Sequence, residues 1–395
     1  MSWRSVALGE VCSIVNGGTP KSEVEEYWNG EFNWITPKEM GKLIGKEITS
    51  TERKITAQGM KNSSAKLLPV NSIILSSRAP IGHLAINKEL MATNQGCKGI
   101  VPSEKLNYEY LYHFLYSSKV VLNDMGSGTT FKELSGTKLA TLKIPLPSLA
   151  IQQKIVAKLD AIFAEIDAAT AAAEVNAKNA EALFQSYLNE VFDKQTKEYK
   201  NVTVGEVCSI INGGTPKSEV SEYWNGDLNW ITPKEMGKLI GREIYSTERK
   251  ITDKGMKNSS AKLLPINSII LSSRAPIGHL AINKELMATN QGCKGLAPKE
   301  SLDYEYLYYF LLKSKRLLND MGSGTTFKEL SGTKLATVIL PLPNILIQKN
   351  TVSKLDMIFG QVQIAKTSFK IKQSNLTLLK QAILQRAFSG ELVKD

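Results

Sequence analysis

The chain has 395 residues, 42% of them hydrophobic, which suits about two or three folded domains and excludes a mainly disordered protein. Lysine and arginine number 49 against 38 aspartates and glutamates, so the net charge of +11 favours a polyanionic partner. No apolar run reaches the roughly 18 residues of a membrane span, and the N-terminus lacks the apolar core of a signal peptide, so we expect a cytoplasmic protein.

The sequence of residues 1–147 predicts one α+β domain in which short strands alternate with turns. We call this domain the first head. A short helix or strand at 6–14 precedes a glycine turn at 16–20, which either lets the backbone approach a ligand or reverses the chain. Strands are predicted at 33–36 and 73–75, because these runs are apolar and rich in β-branched or aromatic residues.

The remaining residues of this head are predicted to form further strands with one helix between them. Partly alternating apolar residues over 82–92 end in a turn at 93–96. Apolar residues spaced by three, four or seven predict a helix over 108–125, followed by a glycine and threonine loop at 126–132. A last strand at 142–147 ends in prolines, which close the head.

Residues 148–196 predict one long helical arm, because apolar or small residues recur in steps of three and four or their sum. These residues are Ile151, Ile155, Leu159, Ile162, Ile166, Ala169, Ala173, Ala180 and Leu183. About 46 helical residues at roughly 1.5 Å each would make an arm roughly 69 Å long, which is more than one head needs for its own core. It therefore needs a partner helix.

The second half of the chain repeats the first at an offset of 196 residues. Residues 71–99 are identical to 267–295, and 122–141 are identical to 318–337. A second head is therefore predicted at 197–343, and it is a near-copy of the first.

A second arm is predicted at 344–395, with an apolar pattern at Val352, Leu355, Ile358, Val362 and Leu379. Two arms that each follow a head pack most simply as an antiparallel coiled coil. The alanine-rich middle of the first arm would allow close approach, and Phe369, Leu376 and Leu378 would fill the seam.

The sequence lacks the motifs of common catalytic sites. It contains no Walker phosphate loop, no H-E-x-x-H and no G-x-S-x-G. His113 is replaced by Tyr309 in the second head, and the matching His83 and His279 are typical of packed residues. We therefore expect no catalytic and no metal-binding residues. The cysteines have no metal-ligand spacing and are expected to be reduced, partly buried thiols: Cys12, Cys97, Cys208 and Cys293.

Cationic residues recur in both heads in a series of the kind that neutralises phosphates. The DNA-binding candidates are Lys21, Lys38, Lys42, Arg53, Lys54 and Lys132, with their counterparts Lys217, Lys234, Lys238, Arg249, Lys250 and Lys328. Lys46 and Arg242 belong to the same series. A solvated lysine-rich face is the alternative for each of these residues.

Base reading needs side chains with fixed donors and acceptors. The candidates are Arg78, Asn94, Gln95, Thr129 and Thr130, with their counterparts Arg274, Asn290, Gln291, Thr325 and Thr326. For each Asn-Gln pair the alternative is a structural turn whose side chains cap the backbone. The Tyr-Trp pairs at 27–28 and 223–224 could stack or wedge against nucleic acid, or form core at a hairpin.

The two heads carry the same motifs in the same order: N-G-G-T-P-K, Y-W-N-G, N-W-I-T, I-I-L-S-S-R-A-P-I-G, A-T-N-Q-G, G-T-T-F-K and P-L-P. In this order, with a long helix after each head, the chain resembles the specificity subunit of type I restriction-modification enzymes over its whole length. The ending at 379–392 also resembles that family's C-terminal arm. Family members commonly carry Glu-Gln where the helix begins, whereas this chain has Ile151-Gln152-Gln153 and Ile347-Gln348-Lys349, a departure that affects a local helix cap.

The resemblance implies that each head is a target recognition domain and that the arms form a pseudo-twofold symmetric, antiparallel coiled coil. The chain would have no catalytic activity and bind no cofactor. Its partners would be double-stranded DNA, two methylation subunits that use S-adenosylmethionine to methylate adenine N6, and two restriction subunits that use ATP and Mg²⁺. Identical heads would read identical half-sites, which gives a bipartite, palindromic or nearly palindromic target with an unspecified spacer and an adenine in each half.

Two alternative functions are considered for the same residues. A stand-alone DNA-binding regulator or scaffold would need the basic heads but no enzymatic partners. A nuclease would need a carboxylate cluster at Glu133 or Asp124, which is disfavoured because nothing pairs those acids at a motif spacing.

Overall fold

The computed structural model describes residues 3–78, 80–128, 132–274, 276–324 and 328–393. The chain forms two compact units, one comprising Met1–Ala173 with Lys370–Asp395 and the other Glu174–Phe369. Each unit combines one head with parts of two long helices. The compact units therefore cut across the predicted division into heads and arms.

The first head is built from short elements. Its strands are β1 Ser5–Ala7, β2 Cys12–Asn16, β3 Trp28–Ile35, β4 Glu47–Ile48, β5 Lys54–Ile55, β6 Ile73–Ser76, β7 Leu84–Asn87, β8 Met91–Thr93, β9 Cys97–Pro102 and β10 Lys143–Pro145. Its helices are α1 Leu8–Val11, α2 Pro37–Met40, α3 Ala57–Lys61, α4 Tyr108–Ser117, α5 Lys119–Met125 and α6 Gly136–Ala140, and the long helix α7 Leu149–Glu198 follows.

The second head repeats this order. Its strands are β11 Asn201–Thr203, β12 Cys208–Asn212, β13 Trp224–Ile231, β14 Glu243–Ile244, β15 Lys250–Ile251, β16 Leu263–Leu264, β17 Ile269–Ser272, β18 Leu280–Asn283, β19 Met287–Thr289, β20 Cys293–Pro298 and β21 Ile339–Pro341. Its helices are α8 Val204–Val207, α9 Pro233–Met236, α10 Asp253–Lys257, α11 Tyr304–Lys313, α12 Lys315–Met321 and α13 Gly332–Ala336, followed by the long helix α14 Ile345–Phe388.

Each head contains a larger and a smaller sheet, and most neighbouring strands are antiparallel. In the first head the larger sheet has the order β2-β9-β6-β7-β4 and the smaller one β5-β3-β8, with β1 and β10 paired separately. Only β3 with β8 and β4 with β7 run parallel among the described strands of this head. Mixed sheets with helices packed beside them confirm the predicted α+β class.

Strand β6 explains how the larger sheet is covered on both faces. Its alternate side chains Ile73 and Leu75 join the cluster that contains Tyr110 and Leu111 of α4. Ile74 points the other way, into a cluster with Met40. A strand buried on both faces reads as an unbroken apolar run, which is why it was predictable.

The helix predicted over 108–125 is wrong as a single element, because it is divided into α4 and α5. Ser118 separates them with a non-helical conformation, and its hydroxyl donates to the Phe114 carbonyl at 2.8 Å. A hydroxyl that bonds back to the preceding turn competes with continuation of the helix.

The two long helices run antiparallel within each compact unit, as predicted. In the first unit the contacts join Lys158 to Leu392 and Asp167 to Lys380. In the second unit they join Glu181 to Lys366 and Gln195 to Thr351. In both units the residue number rises along one helix as it falls along the other.

The predicted seam is wrong at several positions. Leu183 is 69% exposed, and Leu378 and Leu379 are exposed as well. The buried residue beside Leu183 is Phe184, whose ring packs against Tyr309 of the second head. Phe184 also packs against Phe359 of α14, so the head and the partner helix together cover this stretch, and a pattern for two isolated helices selects the wrong side chains.

A buried glutamine joins each head to its long helix. The Gln152 amide nitrogen donates to the carbonyls of Lys105 (3.0 Å) and Pro147 (2.9 Å), and its oxygen accepts from the Asn107 backbone amide at 2.8 Å. Gln348 makes the equivalent three bonds in the second head. The sequence indicated only a local helix cap here, but these residues also fix the direction in which the helix leaves the head.

Candidate nucleic-acid interface

Loops that are far apart in the sequence meet in each head. In the first head the backbone amides of Gly17 and Gly18 donate to the carbonyls of Cys97 and Thr93. A side chain on Gly17 would place its Cβ only 2.0 Å from the Asn94 carbonyl oxygen. The glycine turn is therefore required by a close approach of two loops.

The Ser77-Arg78 segment ties two further loops to this region. The Ser77 amide donates to the Gly96 carbonyl and the Leu134 amide donates to the Ser77 carbonyl, both at 2.8 Å. Arg78 and Glu133 form an antiparallel bridge. Segments 16–19, 77–78, 94–96 and 132–134 therefore form one surface, which we call the loop face.

Asn94 uses its side chain inside the turn. Its Nδ2 donates to Thr19 Oγ1 at 3.0 Å, and its Oδ1 accepts from the Gly96 amide at 2.8 Å. Asn290 does the same with Thr215 and Gly292. The structure thus favours the turn alternative for the asparagines, whereas Gln95 and Gln291 are exposed beside them and stay candidates for base contact.

In the second head several candidates line one surface groove of about 650 Å³. Its lining includes Lys234, Lys238, Asn290 and His279. Burial lowers the pKa of His279, and the nearby Lys315 lowers it further, so the imidazole is neutral at pH 7. Sequence reasoning treated this histidine as a packed residue, and its recurrence in both heads was the only signal for it.

Arg53 is held by aromatic rings. Its guanidinium carbon lies 3.8 Å from the centre of the Trp28 ring and 5.1 Å from that of Trp34. The Trp28 ring packs edge-on against Trp34, and its Nε1 donates to the Lys21 carbonyl. The second head repeats this arrangement around Arg249, so the core alternative describes the tryptophans better than a wedge into DNA.

The remaining predicted cations differ in their surroundings. Those with exposed side chains are Lys21, Lys38, Lys54, Lys217 and Lys234. Lys42 and Lys238 are exposed but lie 3.4 and 3.5 Å from Glu52 and Glu248. Those that are half-buried are Lys132, Lys250 and Lys328. The predicted Thr129, Thr130, Thr325 and Thr326 lie outside the described residues.

Two cations of the predicted series form ion pairs with carboxylates of the long helices. Lys46 and Arg242 make ion pairs with Asp160 of α7 and Asp356 of α14, respectively, so they attach each head to a long helix. Spacing in the sequence could not separate them from exposed neighbours such as Lys42. A phosphate-binding role for these two is not supported by their position.

The thiols are inert. All four cysteines are free and buried, and burial raises the pKa of Cys12, Cys97, Cys208 and Cys293 to about 12. Among the described residues there is no group of three His, Cys, Asp or Glu side chains arranged to hold a metal ion. None of the described helices has the length and hydropathy of a membrane span.

The comparisons with known proteins agree with this architecture. The family model for the type I restriction modification DNA specificity domain matches residues 1–177 and again 196–373. The chain belongs to this family.

Individual relatives show how similar this chain is to known specificity subunits. The MjaIX type I restriction enzyme specificity subunit of Methanocaldococcus jannaschii is 30% identical over 68% of this chain, and the match spans 65% of that relative's length. The EcoBI specificity subunit of Escherichia coli is 24% identical over 99% of this chain and 86% of its own length. A solved structure from work on complex assembly and conformational transition of the type I R-M system has a TM-score of 0.79 at 26% identity, covering 99% of this chain and 98% of that one.

Proposed function

We propose that this chain is the DNA sequence-specificity subunit of a type I restriction-modification complex, acting without catalytic activity of its own. The observation that carries the proposal is that the family model matches each head separately. The loop face in each head supplies exposed donors, and the groove in the second head is lined by lysines. A surface that combines phosphate-neutralising cations with fixed donors suits double-stranded DNA.

The near-identity of the two heads determines the proposed symmetry of the DNA target. Two equal readers recognise equal half-sites, so the target is bipartite and palindromic, with an unspecified spacer and one adenine in each half. The heads also differ at exposed positions, such as Thr49 against Tyr245 and Ala57 against Asp253. Any asymmetry of the target would arise at such positions.

The proposed partners are two methylation subunits, which would use S-adenosylmethionine, and two restriction subunits, which would use ATP and Mg²⁺. Both long helices present apolar side chains to solvent, among them Leu346, Met357 and Ile364 in the second unit. Exposed apolar patches of this kind mark protein interaction sites. We assign them to the methylation subunits.

Single-molecule methylation sequencing tests the proposal. The chain is expressed with its methylation subunit in cells that lack other adenine methylation, and cells with the methylation subunit alone serve as the control. We expect N6-methyladenine at one bipartite motif with equal halves only when this chain is present. Unequal halves would refute the palindrome, and methylation that ignores this chain would refute the specificity function.

A further inference from the structure

A buried lysine and a carboxylate hold one arginine of the loop face in a fixed direction. Arg78 Nε lies 3.1 Å from Glu133 Oε2, and the other oxygen of Glu133 lies 3.6 Å from Lys98 Nζ. Lys98 is only 5% exposed, whereas the Arg78 side chain is 46% exposed. The second head repeats the arrangement with Arg274, Glu329 and Lys294 at 3.0 and 3.8 Å.

The arginine lies between two grooves, as the second head shows. A Cβ built on Gly292 would lie 3.5 Å from Arg274 Cδ and 3.2 Å from Pro233 Cγ, so the arginine stem borders the groove that Pro233 and Asn290 line. On its other side, Glu329 and Lys294 line a second groove of about 550 Å³. Arg274 itself lines neither groove, but its stem borders one and its carboxylate partner lines the other, so a duplex bound in either groove would pass beside the guanidinium.

The ion pair makes this arginine a poor phosphate ligand and a good base reader. Glu133 offsets part of the guanidinium charge while it also pairs with Lys98, so Arg78 attracts phosphate less than an unpaired arginine would. The same contact uses Nε and restricts rotation, and neither terminal nitrogen of Arg78 has a hydrogen-bond partner among the described residues. Two parallel donors with a fixed direction match the N7 and O6 acceptors of guanine in the major groove.

We propose that Arg78 and Arg274 each read one guanine in their half-site, and that Glu133 and Glu329 are positioning residues for them. This inference rests on the proposed function. Lys98 and Lys294 hold the carboxylates from beneath. The arrangement therefore adds one guanine to each half of the recognised sequence.

The first test uses the wild-type complex and needs no variant. The motif is determined by methylation sequencing, and the affinity of the complex of this chain with its methylation subunit is then measured on duplexes carrying 7-deazaguanine at one guanine at a time. Replacing the N7 acceptor of one particular guanine per half should weaken binding markedly. A motif without guanine, or binding indifferent to every replacement, would overturn the inference while leaving the specificity function intact.

The second test uses Arg78→Lys, which keeps the charge but removes the planar fork. Methylated sites should then include sequences with another base pair at one position of one half, with discrimination there reduced roughly 5- to 150-fold. Arg274→Lys is the matched control and should relax one half in the same way, whereas only the double variant should relax both halves at once. An unchanged motif with uniformly weaker binding would identify a phosphate contact instead.

Glu133→Gln separates positioning from folding. The glutamine keeps an acceptor but loses the charge that strengthens the bond to Nε and anchors the side chain to Lys98, so Arg78 is held less firmly and base discrimination should fall while the salt dependence of binding becomes steeper. The half-site read by the second head stays intact and reports that the variant complex is folded. Retained discrimination in Glu133→Gln would show that the carboxylate has no positioning role.

Discussion

The two compact units attach head to helix with the same geometry but different chemistry. In the first unit Lys46 Nζ lies 3.0 and 2.9 Å from the two oxygens of Asp160, and His113 Nε2 lies 2.9 Å from Asp160 Oδ1. In the second unit, at the same positions, Arg242 binds Asp356 and Glu305, and the Tyr309 hydroxyl donates to Asp356. We call these the lysine latch and the arginine latch.

The two latches differ in whether all their buried polar atoms have hydrogen-bond or ion-pair partners. Lys46 Nζ also lies 3.5 Å from Glu109, so both cations reach two carboxylates, but an arginine presents several donors in a plane whereas a lysine is a single point charge. In the lysine latch the Nδ1 atom of His113 is buried without a partner among the described residues. Tyrosine at that position has no such atom. The contact therefore lies at the same place in both heads with different side chains, and we expect the arginine latch to be the more stable.

The largest effect should come from the feature that the units share. Replacing Gln152 with Leu leaves a buried amide and two carbonyls without partners and should cost about 3 kcal/mol of unfolding free energy. Gln348→Leu should cost the same in the second unit. Urea unfolding measures both, and the exposed Gln153→Leu is the control. Clearly unequal losses would show that the two joints are not equivalent.

Removing the carboxylate should distinguish the latches. Asp356→Ala leaves Arg242, whose side chain is 17% exposed, with one remaining carboxylate and should cost roughly 2 to 3 kcal/mol. Asp160→Ala should cost less, about 1 to 2 kcal/mol, because Lys46 is more exposed. Hydrogen exchange of the α4 and α11 peptides, which differ in sequence, reports each unit separately. Equal losses would contradict the ranking, and the exposed Glu165→Ala on the same helix is the control.

Acid should weaken the lysine latch within a defined window. The hydrogen bond from His113 is the main cause that lowers the pKa of Asp160 to about 2, from an ordinary value of 3.8, and Lys46 adds to it. A lowered carboxyl pKa gives stability that is present above pH 4 and lost as the pH falls towards 2. The loss should be roughly 1 kcal/mol, allowing for solvent screening of this partly exposed group. Asp160→Asn should remove this part of the pH dependence of unfolding.

Exchanging the latches should give the smallest change. Lys46→Arg with His113→Tyr converts the first latch into the second and removes the unpartnered nitrogen, so we expect a gain of about 1 kcal/mol. Arg242→Lys with Tyr309→His should lose a similar amount. Thermal unfolding of both double variants measures this. A loss in the first exchange would mean that the larger tyrosine does not fit the first unit.

The loop face shows how much of the candidate site could be predicted from the sequence. Arg78 and Gln95 were found because they follow recognisable strands and turns, and both lie on that surface. Glu133 was considered only as an unpaired acid, because 55 residues separate it from the arginine that it contacts. Lys46 was grouped with surface lysines, since its carboxylate partner lies 114 residues away.

The sequence alone determined the duplicated heads, the α+β class, the long helices and their antiparallel direction, because repeats and apolar periodicity are local properties of a chain. The tertiary structure decided which helix residues are buried, as at Phe184 instead of Leu183, because a head and the partner helix together cover that stretch. It also decided which charges face solvent and which are paired. Those outcomes depend on contacts between segments distant in sequence, and no local pattern records them.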